Sequence, residues 1–124
     1  MSKITFQQLS TFTAALALCL ATLLVFAPSV IYWLFGLTTN DATDLMAKRA
    51  AGLFLGYVVL SWSIRKAAPS ELRRSISHAM ITMFLILAGL SFYEFFRGFA
   101  GPGILLAAVT ECILAALYFR HSKT

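Results

Sequence analysis

The chain carries uncharged apolar stretches as long as a lipid bilayer is thick, and this constrains its fold more than any motif. Residues 9–27, LSTFTAALALCLATLLVFA, hold no charged side chain. About 20 such residues cross the hydrocarbon core, where only a helix or a closed barrel satisfies every backbone N–H and C=O. Further apolar stretches occupy residues 45–65, 76–96 and 103–119. The expectation is an all-α integral membrane protein, a four-helix up-and-down bundle forming one transmembrane domain over residues 1–124. With 60% hydrophobic and 12% charged residues, the chain is neither a soluble domain nor a disordered tail. Four spans leave no room for a separate soluble domain.

Local signals mark the ends of the spans. Pro28 and Ser29 close the first run, and VIYWLFGL, residues 30–37, is too short to span alone. It reads as a short interfacial helix after the first span, or as that span's end kinked at Pro28. TTNDATD, residues 38–44, is a polar loop in which Thr43 or Asp41 can cap the next helix. Lys48 and Arg49 precede the uncharged centre of that helix, and Arg65 and Lys66 follow it. Long basic side chains reach the headgroups from such positions. Pro69 breaks the chain again, and Ser70 is placed to cap the third helix. GFAGPG, residues 98–103, marks a tight turn before the fourth. The length of the first run, without a clear small-x-small site before Ser29, favours a retained helix over a cleaved signal peptide. Cys19 and Cys112 form no CxxC pair and read as small buried apolar side chains.

Few charges remain to be placed. Four spans put Lys3, Arg65, Lys66, Arg73, Arg74, Arg120 and Lys123 on one side, seven of the ten basic residues. The positive-inside rule makes that side cytoplasmic, with both termini on it. The net charge of +5 is then a topology signal and a contact with anionic headgroups, concentrated at Arg65, Lys66, Arg73 and Arg74. It does not point to nucleic acid.

Glu111 is the residue this architecture does not require. It lies about 12 Å into the fourth helix, at ~1.5 Å per residue. A carboxylate at the bilayer centre costs about 2.5–3.5 kcal/mol on insertion scales, so it must face the bundle interior, be paired or be protonated. Arg49 on the second helix is the available counter-charge. It shares a face with Gly52, Gly56 and Ser63, and the Gly52-xxx-Gly56 spacing suits close helix packing. Glu94 and Arg97 are three apart and can pair locally. With Tyr93, these residues would make a polar cluster in the outer half of the bundle, either a ligand or ion site or an ion-pair network holding the helices in register. Tyr32, Trp33 and Tyr93 at one end and Trp62 and Tyr118 at the other match aromatic belts. His78 and His121 fall at helix ends, where they would be solvated, and neither has a second ligand at metal spacing, so no metal site is expected. Nucleotide loops, HExxH, nucleophile elbows and kinase signatures are absent from the sequence, and no cofactor is implied.

The run RAAGLFLGYVVLSWSIR, residues 49–65, together with size and hydropathy, resembles the small bacterial four-helix membrane proteins of the DoxX-like kind. That resemblance implies a compact bundle of the bacterial inner membrane, often without an assigned activity. Small multidrug exporters share the length and helix count but carry an acid in the first helix, where this chain has none.

Three functions are compatible with these residues. The best supported is a non-catalytic scaffold, accessory or lipid/quinone-type binding protein. Its partners would be membrane lipids and a second copy or another membrane protein. An oligomeric transporter or channel would use Glu111 as its proton or cation site, with Arg49 as counter-charge. An enzyme acting on a lipid would use Glu94 or Glu111 as acid/base and has least support. The orientation is directly testable: a reporter fused at Thr124 is expected to read as cytoplasmic, and an external signal overturns the assignment.

Overall fold

A computed structural model of the protein describes residues 3–123. Thr124, the fusion point named above, lies outside them. Among the described residues the chain forms α1 (Phe6–Phe26), α2 (Pro28–Phe35), α3 (Asp41–Ile64), α4 (Glu71–Phe96) and α5 (Ile104–Ser122). Helix α1 opens with a capping box in which Thr5 and Gln8 satisfy each other's backbone N–H groups. Pro28 opens α2 as a separate short helix, where its missing N–H costs nothing. The cap of α3 is Asn40 rather than Asp41 or Thr43. Its backbone is extended and its side chain accepts from the Thr43 N–H at 2.9 Å. Asp41 and Asp44 fall inside the first turn, where carboxylates complement the positive helix end. Ser70 caps α4 as expected.

Among the described residues three helices are long and apolar enough to cross a membrane: α1, α4 and α5. Four were expected, and α3 is the one whose composition falls short. Helix α3 is long enough, but Asp41, Asp44, Lys48 and Arg49 crowd its first turns and leave an uncharged stretch of residues 50–64 only.

The helices assemble as two antiparallel pairs, α1 with α3 and α4 with α5. In the first pair Ser10 of α1 donates to the Ser61 carbonyl of α3 at 2.5 Å. Ala21 at the far end of α1 clusters with Ala47 and Ala51. Ser10, Ala14, Ala17 and Ala21 are all buried, and these small side chains let the two backbones approach. Gly52 and Gly56 do not take part. They lie one residue round the helix, exposed, with nothing within 4 Å of where a Cβ would stand. The pairs meet near the N-terminal end of α1, where Phe6, Leu9, Ile64, Met80, Phe84, Leu114, Ala115 and Tyr118 form one core.

Several side chains depart from expectation. Tyr118 is 1% exposed, not part of a belt. Its ring packs on Phe6 and Phe84, and its hydroxyl donates to Thr13 at 2.7 Å. Tyr32 is likewise buried, and it donates to Asp44 at 2.9 Å. Burial, reinforced by that carboxylate, pushes the Tyr32 phenol above its ordinary pKa. Trp33, Trp62 and Tyr93 remain exposed. Cys19 and Cys112 are exposed free thiols rather than buried ones.

At the end opposite this core, two loops lock together through backbone. The Gly101 N–H donates to the Phe35 carbonyl at 2.7 Å. Gly36 has φ +69°, and a Cβ there would stand 2.9 Å from the Gly101 nitrogen. A Cβ on Gly103 would overlap the Leu34 carbonyl. Gly36→Ala and Gly103→Ala are therefore expected to lower thermal stability in detergent, each by roughly 1–3 kcal/mol of strain and displaced backbone. Gly52→Ala should be neutral or raise stability by about 0.5–1 kcal/mol, as for any unpacked helix glycine. Thermal melts of the three variants check this; an equal loss at Gly52 would contradict it.

Candidate functional site

The seam between α4 and α5 positions Glu111. Ala108, Glu111, Ala115, Tyr118 and Ser122 recur at spacings of three and four, and every one except Glu111 is fully buried. The facing stripe on α4 runs through Ser77, Met80, Phe84, Ala88 and Ser91. Glu111 is thus half-buried opposite Ser91, whose hydroxyl lies 3.5 Å from its Oε1. That hydroxyl has one proton, and its 2.9 Å contact to the Leu87 carbonyl is the stronger claim on it. In its acid form Glu111 becomes the donor and Ser91 Oγ the acceptor.

Arg49 does not meet Glu111. It is exposed on α3 and has no hydrogen-bond or ion-pair partner among the described residues. The anticipated outer cluster separates instead into two parts. Glu94 and Arg97 pair as their spacing suggested, with Arg97 Nη2 at 2.5 Å and Nε at 3.2 Å from one carboxylate oxygen. The Arg97 guanidinium also lies over the rings of Phe99 and Tyr93, at 5.0 and 5.7 Å. The Arg97 side chain is 51% exposed and that of Glu94 25%, so solvent on the arginine side screens the pair. The other part is Glu111 with Ser91.

Two concave regions flank the N-terminal turns of α1. One is an apolar groove of about 720 Å³ between α1 and α5, lined by Leu9, Phe12, Ile113, Leu114 and Leu117, with Gln8 and Thr110 among its walls. Those two polar residues are already engaged. Gln8 accepts from the Thr5 N–H, and Thr110 donates to the Leu106 carbonyl. The second is a basic pocket at the chain-terminal end of the bundle, where Arg73 and His121 meet Phe6 and the α3–α4 loop. His121 is half-buried rather than solvated, with Nε2 3.0 Å from the Ile4 carbonyl and its ring edge-on to Phe6.

Sequence reasoning missed Ser91 and Arg73. The signal for Arg73 was spacing: residues 73, 77, 80 and 84 continue the buried stripe of α4, whereas Arg74 is one position round and exposed. Among the described residues no group of three or more His, Cys, Asp or Glu side chains could hold a metal ion. No family model, curated protein or solved structure matches the chain.

A carboxyl held by one neutral hydroxyl rather than by a cation makes a specific prediction. Glu111→Gln should retain the fold with a stability change of no more than about 1 kcal/mol, because the amide can donate to Ser91 Oγ. Loss of a buried cation's partner would instead cost about 3–5 kcal/mol. Thermal melts of the purified variant decide between the two.

Proposed function

We propose that the protein is a non-catalytic multi-pass membrane protein that binds a lipid- or isoprenoid-type chain along the α1–α5 groove. The groove carries this reading. Both helices that wall it are apolar enough to cross a bilayer, so what covers it in a membrane is hydrocarbon. Its lining takes in Ile4 just before α1, Gln8 to Phe12 on α1 and Thr110 to Leu117 on α5, about 10 Å of largely apolar trough at ~1.5 Å per residue. Most of a lipid tail's affinity for such a trough comes from packing and buried area.

The same reading takes α3 as a fourth crossing. Its antiparallel seam on α1 reaches from Ser61 beside Ser10 to Ala51 near Ala21, so the medium around α1 surrounds α3 as well. Asp41 to Arg49 then fall at the outer headgroups, and both chain ends lie on the cytoplasmic side of a bacterial inner membrane. The likeness of residues 49–65 to DoxX-like proteins belongs with this proposal. So does an accessory role through the outward face of Arg49, Gly52, Gly56 and Ser63, which a second copy or another membrane protein would cover.

A second reading, an oligomeric transporter or channel, is favoured by one observation: Glu111 is half-buried without a cation beside it. It requires that Glu111→Gln abolish flux in proteoliposomes while the fold persists.

The groove reading is tested by photo-crosslinking. A photoactivatable isoprenoid or acyl chain in nanodiscs should label Phe12 and Leu117 several-fold above the exposed α3 residue Leu53. Leu117→Trp, which fills the trough, should remove that excess. Equal labelling at all three positions would overturn the proposal.

A further inference from the structure

The open pocket at the chain-terminal end of the bundle has a volume of about 390 Å³ and is lined by Thr5, Phe6, Arg65, Lys66, Arg73 and His121 among others, with no acidic side chain among the described residues of its wall. At about 30 Å³ per water, it has space for a phosphate-sized oxyanion together with several waters.

Arg73 is the feature that points to a ligand. It is 9% exposed, a burial that arginine rarely reaches without pairing. The protein engages part of its guanidinium. Nη1 donates to the Ala67 carbonyl at 3.2 Å, Nη2 lies 3.5 Å from His121 Nδ1, and the planar group stacks 4.2 Å over the Phe6 ring. Its Nε, however, is buried with no acceptor. A buried donor left without a partner is costly, and more so on a charged group. None of the contacts it does make brings a negative charge.

The surroundings supply the rest of an anion site. Arg65 is held over Trp62 at 3.7 Å, with Nη1 donating to the Trp62 carbonyl. It is therefore a positioned cation. Lys66 is exposed at the rim, and Arg120 borders the site through its contact with His121. The acid nearest in sequence, Glu71, is exposed on the first turn of α4 and does not line the pocket. A tetrahedral oxyanion beside the guanidinium would neutralise the buried charge within reach of Arg65 and Lys66. Arginine's rigid planar set of donors suits phosphate oxygens.

We propose that this pocket binds a phosphate group, held by Arg73 with Arg65 and Lys66. Two sources share that chemistry: the headgroup of an anionic phospholipid, which the pocket would meet at the membrane surface, and a soluble phosphate. The proposal is independent of the groove reading, and Leu117→Trp should leave phosphate binding unchanged.

The test uses the full chain in nanodiscs. In the first arm, phosphatidylcholine discs are titrated with inorganic phosphate at constant ionic strength and followed by calorimetry. In the second, discs containing phosphatidylglycerol are compared with phosphatidylcholine alone, reading the melting temperature and the lipid retained in native mass spectra. Saturable binding in the first arm assigns a soluble phosphate. A melting-temperature rise with one retained phosphatidylglycerol in the second assigns a headgroup. Lys66→Gln should weaken the signal about tenfold, as loss of a charge-assisted contact does. Arg74→Gln removes the same charge from outside the pocket and should change it less than twofold. Arg73→Lys keeps the charge but removes the guanidinium, and should also weaken binding at least tenfold. If Arg73→Lys does not fold, the contrast between positions 66 and 74 carries the test. Absence of a signal in both arms overturns the proposal. So does an equal loss at positions 66 and 74, which would mean diffuse surface charge rather than a site.

Discussion

Deep between the two helical pairs, the Tyr118 hydroxyl donates to Thr13, and the Thr13 hydroxyl donates in turn to the Leu9 carbonyl. The chain buries a polar group from α5 against a polar group from α1 and leaves neither unsatisfied. In a low-dielectric interior that arrangement is demanding, because each oxygen must find its partner or cost more than it contributes. Around this bond the rings of Phe6 and Phe84 close on Tyr118, and Leu9, Ile64, Met80 and Leu114 fill the remaining space. The position of α1 against α5 follows from it. That position opens the apolar groove on one side of α1 and brings Phe6 over Arg73 on the other.

The opposite end of the molecule is held differently. There the Phe35 carbonyl and Gly101 N–H join the α2–α3 turn to the α4–α5 turn, through glycines that allow direct backbone contact. Between the two ends, the α4–α5 seam carries Glu111 against Ser91, and the α1–α3 seam carries Ser10 against Ser61. Each pair of helices thus has at least one polar contact inside an otherwise apolar interface. Such contacts fix rotation and register where apolar packing alone discriminates weakly.

Much of the candidate chemistry was visible as residue types but not as contacts. Glu111 stood out because a carboxylate in an apolar run has to be explained, and the structure places it half-buried beside Ser91, twenty positions away, rather than beside Arg49. The Glu94–Arg97 pair was legible because helical spacing alone brings the two together. Arg73 was hidden among four basic residues that topology and headgroups already accounted for. Its burial depends on which face of α4 meets α5, a fact the residues of that one segment do not contain.

The sequence by itself determined that the chain is helical and apolar enough for a membrane, where most of its helices begin and end, and which turns must be glycine-rich. These follow from local rules: uncharged length, proline geometry, capping hydroxyls and backbone freedom. The tertiary structure alone decided which side of each helix is interior. A helix that is apolar all round carries little rotational signal, so Gly52 and Gly56 could look like a packing face while the alanines beside them were the ones buried. That choice was made by small side chains and a few long-range hydrogen bonds, such as that between Thr13 and Tyr118, 105 positions apart in sequence. It turned Tyr118 inward, left Arg49 outside, and buried Arg73 with a donor still to be satisfied.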